Sequence, residues 1–91
     1  MMPKEFPQQQ TGSVNELFHQ HELVLYNDDV NTFEFVIQTL IDVCEHDRLQ
    51  AEQCALITHH NGKCSVKQGT WDDLKDKKQV MTDLGLSVEI T

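Results

Sequence analysis

The chain has 91 residues, enough for one compact domain and too few for two. Seven Lys and Arg against fifteen Asp and Glu give a formal net charge of -8, which argues against nucleic acid, whose phosphates require a basic patch. The three cysteines form no C-x-x-C pair, no apolar run reaches membrane-spanning length, and the N-terminus lacks a secretory apolar region. The expectation is a protein of the reducing cytoplasm with no membrane contact.

Residues 1–21 hold both prolines, a Gln run and little periodic apolarity, so they read as a flexible N-terminal extension ahead of a core at 22–91. Glu22 to Tyr26 has the composition of a short buried strand, ended by the turn formers Asn27, Asp28 and Asp29. Asn31 reads as a helix N-cap with Glu34 completing a capping box. Phe33, Val36, Ile37, Leu40, Ile41 and Cys44 then recur at helical spacing and form one continuous apolar face. Of these, Phe33 and Val36 start the helix beside the turn, where they can reach a pocket mouth.

Asp47 opens a second helix, with Gln50 at the third position of another capping box. Its narrower face carries small residues, Ala51, Cys54, Ala55 and Thr58, and Asn61-Gly62 stops it. Cys64 and Val66 alternate with polar residues as in a half-buried strand, which Gly69 breaks. Thr70 and Asp73 repeat the capping signature. A third helix places Leu74, Lys78, Met81 and Leu84 on one face, with Trp71 expected in the core. It stops at Gly85, and Leu86, Val88 and Ile90 alternate as a closing strand. The order is β-α-α-β-α-β, an α+β domain whose three-stranded antiparallel sheet has three helices packed on one face.

Chemistry concentrates at two element ends. Asn27-Asp28-Asp29 reads as a strand-to-helix turn that places negative charge at a helix start, or as a set of acceptors. His59 and His60 read as C-terminal helix histidines that satisfy free carbonyls, or as ligands. With Cys64 they match no common zinc spacing, their side chains should diverge on a helix, and no fourth ligand is apparent, so no metal or other cofactor is expected. No Ser/His/Asp or Cys/His arrangement and no phosphate-binding glycine loop appears, so an enzyme is not expected either.

The run Leu25-Tyr26-Asn27-Asp28-Asp29-Val30-Asn31-Thr32-Phe33-Glu34-Phe35-Val36 resembles the signature of the ClpS family of Clp protease adaptors. The segment from Ala51 to Lys63 is similar to that family's A-x-Q…H-x-x-G-K pattern, and Cys64-Ser65-Val66 resembles its C-G-V strand. The resemblance covers residues 23 to 90. It implies three strands, three helices, no catalysis and no cofactor.

The resemblance also implies a binding role: capture of N-degrons, chains that begin with Leu, Phe, Tyr or Trp, and their delivery to a ClpA- or ClpC-type AAA+ unfoldase. By the same resemblance Asn27, Asp28 and His59 would hold the substrate's α-amino group and first peptide bond, with Asp29 beside them. Asn31 falls where the family usually has a loop Thr, Val36 lines the pocket, and Phe33 takes a gatekeeping position that is commonly Met. Ala55 and Thr58 replace a larger apolar pair, Leu86 closes the far wall, and Lys77 falls on the unfoldase-binding surface. A larger gate thus faces a smaller floor, and the Thr58 hydroxyl is available to the polar edge of Tyr or Trp. The alternative is a generic protein-interaction domain of similar α+β build without N-degron binding.

Overall fold

Strand β1, His21–Tyr26, is the first element among the described residues and lies at the centre of the sheet. Its alternation sends Leu23 and Leu25 into the core, where both are fully buried. A computed structural model describes residues 20–91, so the extension expected at 1–21 lies, through residue 19, outside the described residues. β1 opens at His21, one residue before the expected Glu22.

Strand β2, Lys63–Gly69, pairs antiparallel with one edge of β1, from His21 opposite Gly69 to Tyr26 opposite Lys63. A register shift interrupts this pairing between Leu23 and Val24. Strand β3, Ser87–Ile90, pairs antiparallel with the other edge, Leu23 opposite Ile90 and Tyr26 opposite Ser87. The sheet order is therefore β2-β1-β3.

Helix α1, Phe33–Cys44, buries Ile37, Leu40 and Cys44, as its apolar spacing requires. Its cap corrects the expectation for Asn31. Thr32 is the N-cap, and its hydroxyl oxygen accepts from the Phe35 N–H at 3.0 Å. Asn31 is occupied elsewhere in the loop, and Glu34 reaches outward to Arg48 at 2.9 Å instead of back to a cap.

The helix ends on Glu45, which takes the left-handed conformation at φ 63°. Lys67 secures this end from β2: its ammonium donates to the Cys44 carbonyl at 3.1 Å and lies 3.6 Å from the Glu45 carboxylate. Beside it His46 is buried, with Nε2 donating to the Val66 carbonyl.

Helix α2, Arg48–Asn61, starts as expected, with the Asp47 carboxylate accepting from the Gln50 N–H at 2.7 Å. Ala51, Ala55 and Thr58 are its buried face. Small side chains there bring α2 against α1. Gly62 ends it at φ 94°, a conformation that costs an L side chain about 1–2 kcal/mol, and its N–H donates to the Thr58 carbonyl.

Helix α3, Trp71–Asp83, is capped by Thr70, whose hydroxyl accepts from the Asp73 N–H at 3.2 Å. Leu74 and Met81 are buried on its sheet-facing side. Gly69 ends β2 as expected; a Cβ there would lie 3.3 Å from Asp73 Cβ, so glycine also lets the first turn of α3 settle on the strand end. Two expectations around α3 are corrected. Trp71 is 46% exposed, not core, because α3 begins level with the last rung of the sheet and the indole meets the His21 ring edge-on at 5.7 Å. Leu84 is exposed because the helix stops at Asp83 and leaves it as the cap.

The core is one cluster between the sheet and the three helices: Leu23, Leu25, Val66 and Val88 from the strands meet Ile37, Leu40, Ala55, Leu74 and Met81. It shows the expected α+β build of three antiparallel strands and three helices. Among the described residues, no helix is long and apolar enough to cross a membrane.

Candidate functional site

The end of β1, the start of α1, the last turns of α2 and the approach to β3 converge on one cavity of about 540 Å³. Every residue proposed for substrate contact lines it: Asn27, Asp28, Asp29, Asn31, Phe33, Val36, Ala55, Thr58, His59 and Leu86. Lys77 does not; it is half-buried on α3, away from this cavity. Leu25, Tyr26 and Leu56 also line the cavity and were not singled out from the sequence. The signal for Leu25 is the composition of a short buried strand, which points to the core, where it is also a member. Leu56 had only its place one position after Ala55 on the helix.

The rim is built by backbone ties. The Asn27 N–H donates to the Gly62 carbonyl at 2.9 Å, which joins the end of β1 to the cap of α2. Asp28 then folds the loop around its own carboxylate. Oδ1 accepts from the Val30 N–H at 2.9 Å and from the Asn31 N–H at 2.8 Å, and Oδ2 accepts from Asn31 Nδ2 at 2.9 Å.

These bonds hold the Asp28 carboxyl below the usual carboxylate range. The Asn31 backbone N–H contributes most, partial burial opposes it, and the Asn31 amide and Val30 N–H add to it. Asp28 is therefore both the turn former and a fixed anion. A carboxylate has about four acceptor sites, so one remains for an incoming donor.

Asn31 performs a second task. The same Nδ2 donates to the Gly85 carbonyl at 3.0 Å, which links the β1–α1 loop to the turn that delivers Leu86 to the cavity wall. Its role differs from the N-cap expected of it, although it does line the cavity. His59 is exposed near the end of α2. Its ring meets His60 edge to face with centroids 5.3 Å apart, so the two side chains do not diverge as expected; the last helical turn is free enough of packing for the rings to associate.

Below the rim the lining is apolar. Leu25, Val36, Ala55 and Leu86 form wall and floor, and Phe33, 48% exposed, stands at the mouth. Thr58 is the polar exception, only 4% exposed, with its hydroxyl donating to the Cys54 carbonyl at 2.8 Å. The site as a whole can take a small cation with several N–H donors on Asp28, Asn27 and His59 and an apolar group beside it.

The cysteines are free and stand outside the cavity. Burial pushes the Cys44 thiol up to about 11. Burial, and then the neighbouring Cys64, push Cys54 up to about 12. Both stay protonated at neutral pH and act as small apolar side chains, as their helical positions suggested.

Residues 17–89 match the profile of a family described as ATP-dependent Clp protease adaptor protein ClpS. An ATP-dependent Clp protease adapter protein ClpS of Campylobacter jejuni strain 81-176 is 40% identical over 42 residues, 46% of this chain and 44% of that protein. The ClpS of Cupriavidus metallidurans is 38% identical over 64 residues, 63% of this chain and 59% of the relative. The matched region thus spans about half the length of these curated relatives. Among solved structures, Agrobacterium tumefaciens ClpS2 bound to L-phenylalaninamide superimposes with a TM-score of 0.75 at 24% identity, over 79% of this chain and 94% of the other. With the family profile matching most of its length and the same β-α-α-β-α-β fold, the chain belongs to the ClpS family of Clp protease adaptors, a family of adaptors and not of enzymes.

Proposed function

We propose that this protein captures polypeptides by a free N-terminal Leu, Phe, Tyr or Trp and delivers them to a Clp AAA+ unfoldase of the ClpA or ClpC type. The observation that carries the reading is the cavity: three acceptors of different kind at the rim, an apolar hole directly beneath. Asp28, Asn27 and His59 take the α-ammonium and first peptide group, with Asp29 adding negative charge at the rim. Phe33 gates the hole, and Val36, Ala55, Thr58 and Leu86 receive the side chain. The ligand of the Agrobacterium relative fits this chemistry, since L-phenylalaninamide is an amine, an aromatic side chain and an amide on one carbon.

The energies suit a carrier that must release its load. Burying one aromatic side chain contributes about 2–3 kcal/mol, and hydrogen bonds to the ammonium about 1.5–3 kcal/mol each. After the costs of association these reach an affinity on the order of micromolar. Lys77, outside the cavity, belongs in this reading to the unfoldase-binding surface, and residues 1–21 serve delivery rather than capture. The free thiols fit action in the cytoplasm.

The test is a panel of fluorescent peptides that differ only in the first residue, each free and N-acetylated. Free Phe, Tyr, Trp and Leu peptides should bind. Acetylation, which removes the charge and adds bulk, should weaken them at least about tenfold. Equal binding of free and acetylated peptides would exclude the reading.

A further inference from the structure

We propose that the Thr58 hydroxyl selects, within the N-degron class, first residues that carry an apolar body and a hydrogen-donating tip: tyrosine and tryptophan over phenylalanine and leucine. This deepens the N-degron reading and rests on it.

The argument starts from what Thr58 has already committed. Its side chain is 4% exposed and lines the cavity, a polar group among apolar walls. A hydroxyl has one donor and two acceptor sites. The donor is spent on the Cys54 carbonyl one turn back in α2, at 2.8 Å. What the hydroxyl can still offer a bound side chain is therefore acceptor capacity alone. Leucine and phenylalanine have nothing to give it. The phenol O–H of tyrosine and the indole N–H of tryptophan are donors, and in an apolar hole each needs a partner.

The shape of the cavity points the same way. Ala55, 3% exposed, lies one helical turn before Thr58 on the same face of α2, and both side chains are small. Small side chains at these two positions leave room for a long planar side chain in the cavity of about 540 Å³. Phe33 at the mouth supplies a ring against which an aromatic first residue can pack. A site that hydrogen-bonds the tip of its ligand disfavours the analogue that lacks the tip, because its own polar group then goes without that bond.

The experiment compares peptides beginning with Tyr, Phe, Trp and Leu, free and acetylated, on the wild-type chain, Thr58→Val and Thr58→Ser. Valine is nearly isosteric and removes the hydroxyl; serine keeps it. In the wild type, free Tyr and Trp peptides should bind about three- to tenfold more tightly than Phe. In Thr58→Val that ratio should fall to one or invert, whatever the common change in affinity, and Thr58→Ser should keep the preference. Peptide binding itself shows that each variant is folded.

Amine-dependent binding with a Tyr-to-Phe ratio unchanged by Thr58→Val overturns this inference and leaves the N-degron reading standing. A wild type that prefers Phe to Tyr does the same. Binding indifferent to acetylation for every peptide overturns the N-degron reading and this inference with it.

Discussion

Replacing Asn31 with alanine isolates what the loop amide contributes. The side chain makes two bonds through one nitrogen, to Asp28 Oδ2 at 2.9 Å and to the Gly85 carbonyl at 3.0 Å. Neither is deeply buried, so water takes part of their place, and about 0.5–1.5 kcal/mol of stability is the reasonable net loss for each. Together that is on the order of 1–3 kcal/mol, which in a domain of this size lowers the Tm by roughly 4–24 °C.

The Asp28 carboxyl should respond in a defined direction. The backbone N–H of Asn31, the largest cause of its lowered pKa, survives in Asn31→Ala, as does the Val30 N–H; only the amide's share is lost. Its pKa should therefore rise towards, but not reach, the ordinary aspartate value. Because the folded-state pKa is depressed, the stabilisation is complete above the unfolded value near 4 and lost as pH falls through the folded value. The variant should lose it at a slightly higher pH than wild type. Peptide affinity should fall about three- to tenfold, since the acceptor and the Leu86 wall both lose a restraint. Thermal melts, carboxyl carbon NMR titration and peptide binding measure the three effects. An Asn31→Ala protein with wild-type melting and an unmoved Asp28 titration would refute the clamp.

Three further outcomes follow from the same geometry. His59→Ala should weaken N-degron binding at least about tenfold with an unchanged Tm, because His59 is exposed, whereas Asp28→Ala should lose both affinity and about 1–2 kcal/mol of stability by removing the loop's acceptor; equal melts for the two variants would contradict this. Phe33→Ala should admit peptides beginning with Ile or Val, whose branched Cβ meets the ring at the mouth, and an unchanged preference profile would reduce Phe33 to a packing residue. Deleting residues 2–20 should leave peptide affinity intact and abolish degradation of an N-degron reporter by the partner protease, while scrambling them preserves it; undiminished degradation by the truncated chain would remove the extension from the delivery step.

The helices and their limits were legible because they rest on local rules. The Phe33 to Cys44 stripe, the Asp47 and Thr70 caps and the left-handed Gly62 all depend on neighbours within four residues. The convergence of the ten cavity residues came from family resemblance, since nothing local brings Leu86 beside Asn27. What escaped the sequence was decided between elements. Asn31 and Thr32 are both good caps, and the choice fell to Thr32 because Gly85, far along the chain, gives the Asn31 amide a partner. Trp71 is expected in the core, but the sheet ends beneath it. Gly69 reads as a strand breaker and does end β2; what the sequence does not show is that its missing side chain also serves helix packing.

The central position of β1 shapes how the molecule is made. Strand β1, which leaves the ribosome ahead of both its partners, pairs with residues 63–69 on one edge and 87–90 on the other. Until those residues emerge, Leu23 and Leu25 have no sheet to join, and α1 and α2 have no floor to pack on. Each pairing closes a long loop, and the entropy of that closure is met before the pairing is rewarded, which raises contact order and slows folding. A chain that ends before residue 86 keeps the β1–β2 pairing but lacks β3 and the Leu86 wall together, so its cavity stands open on that side.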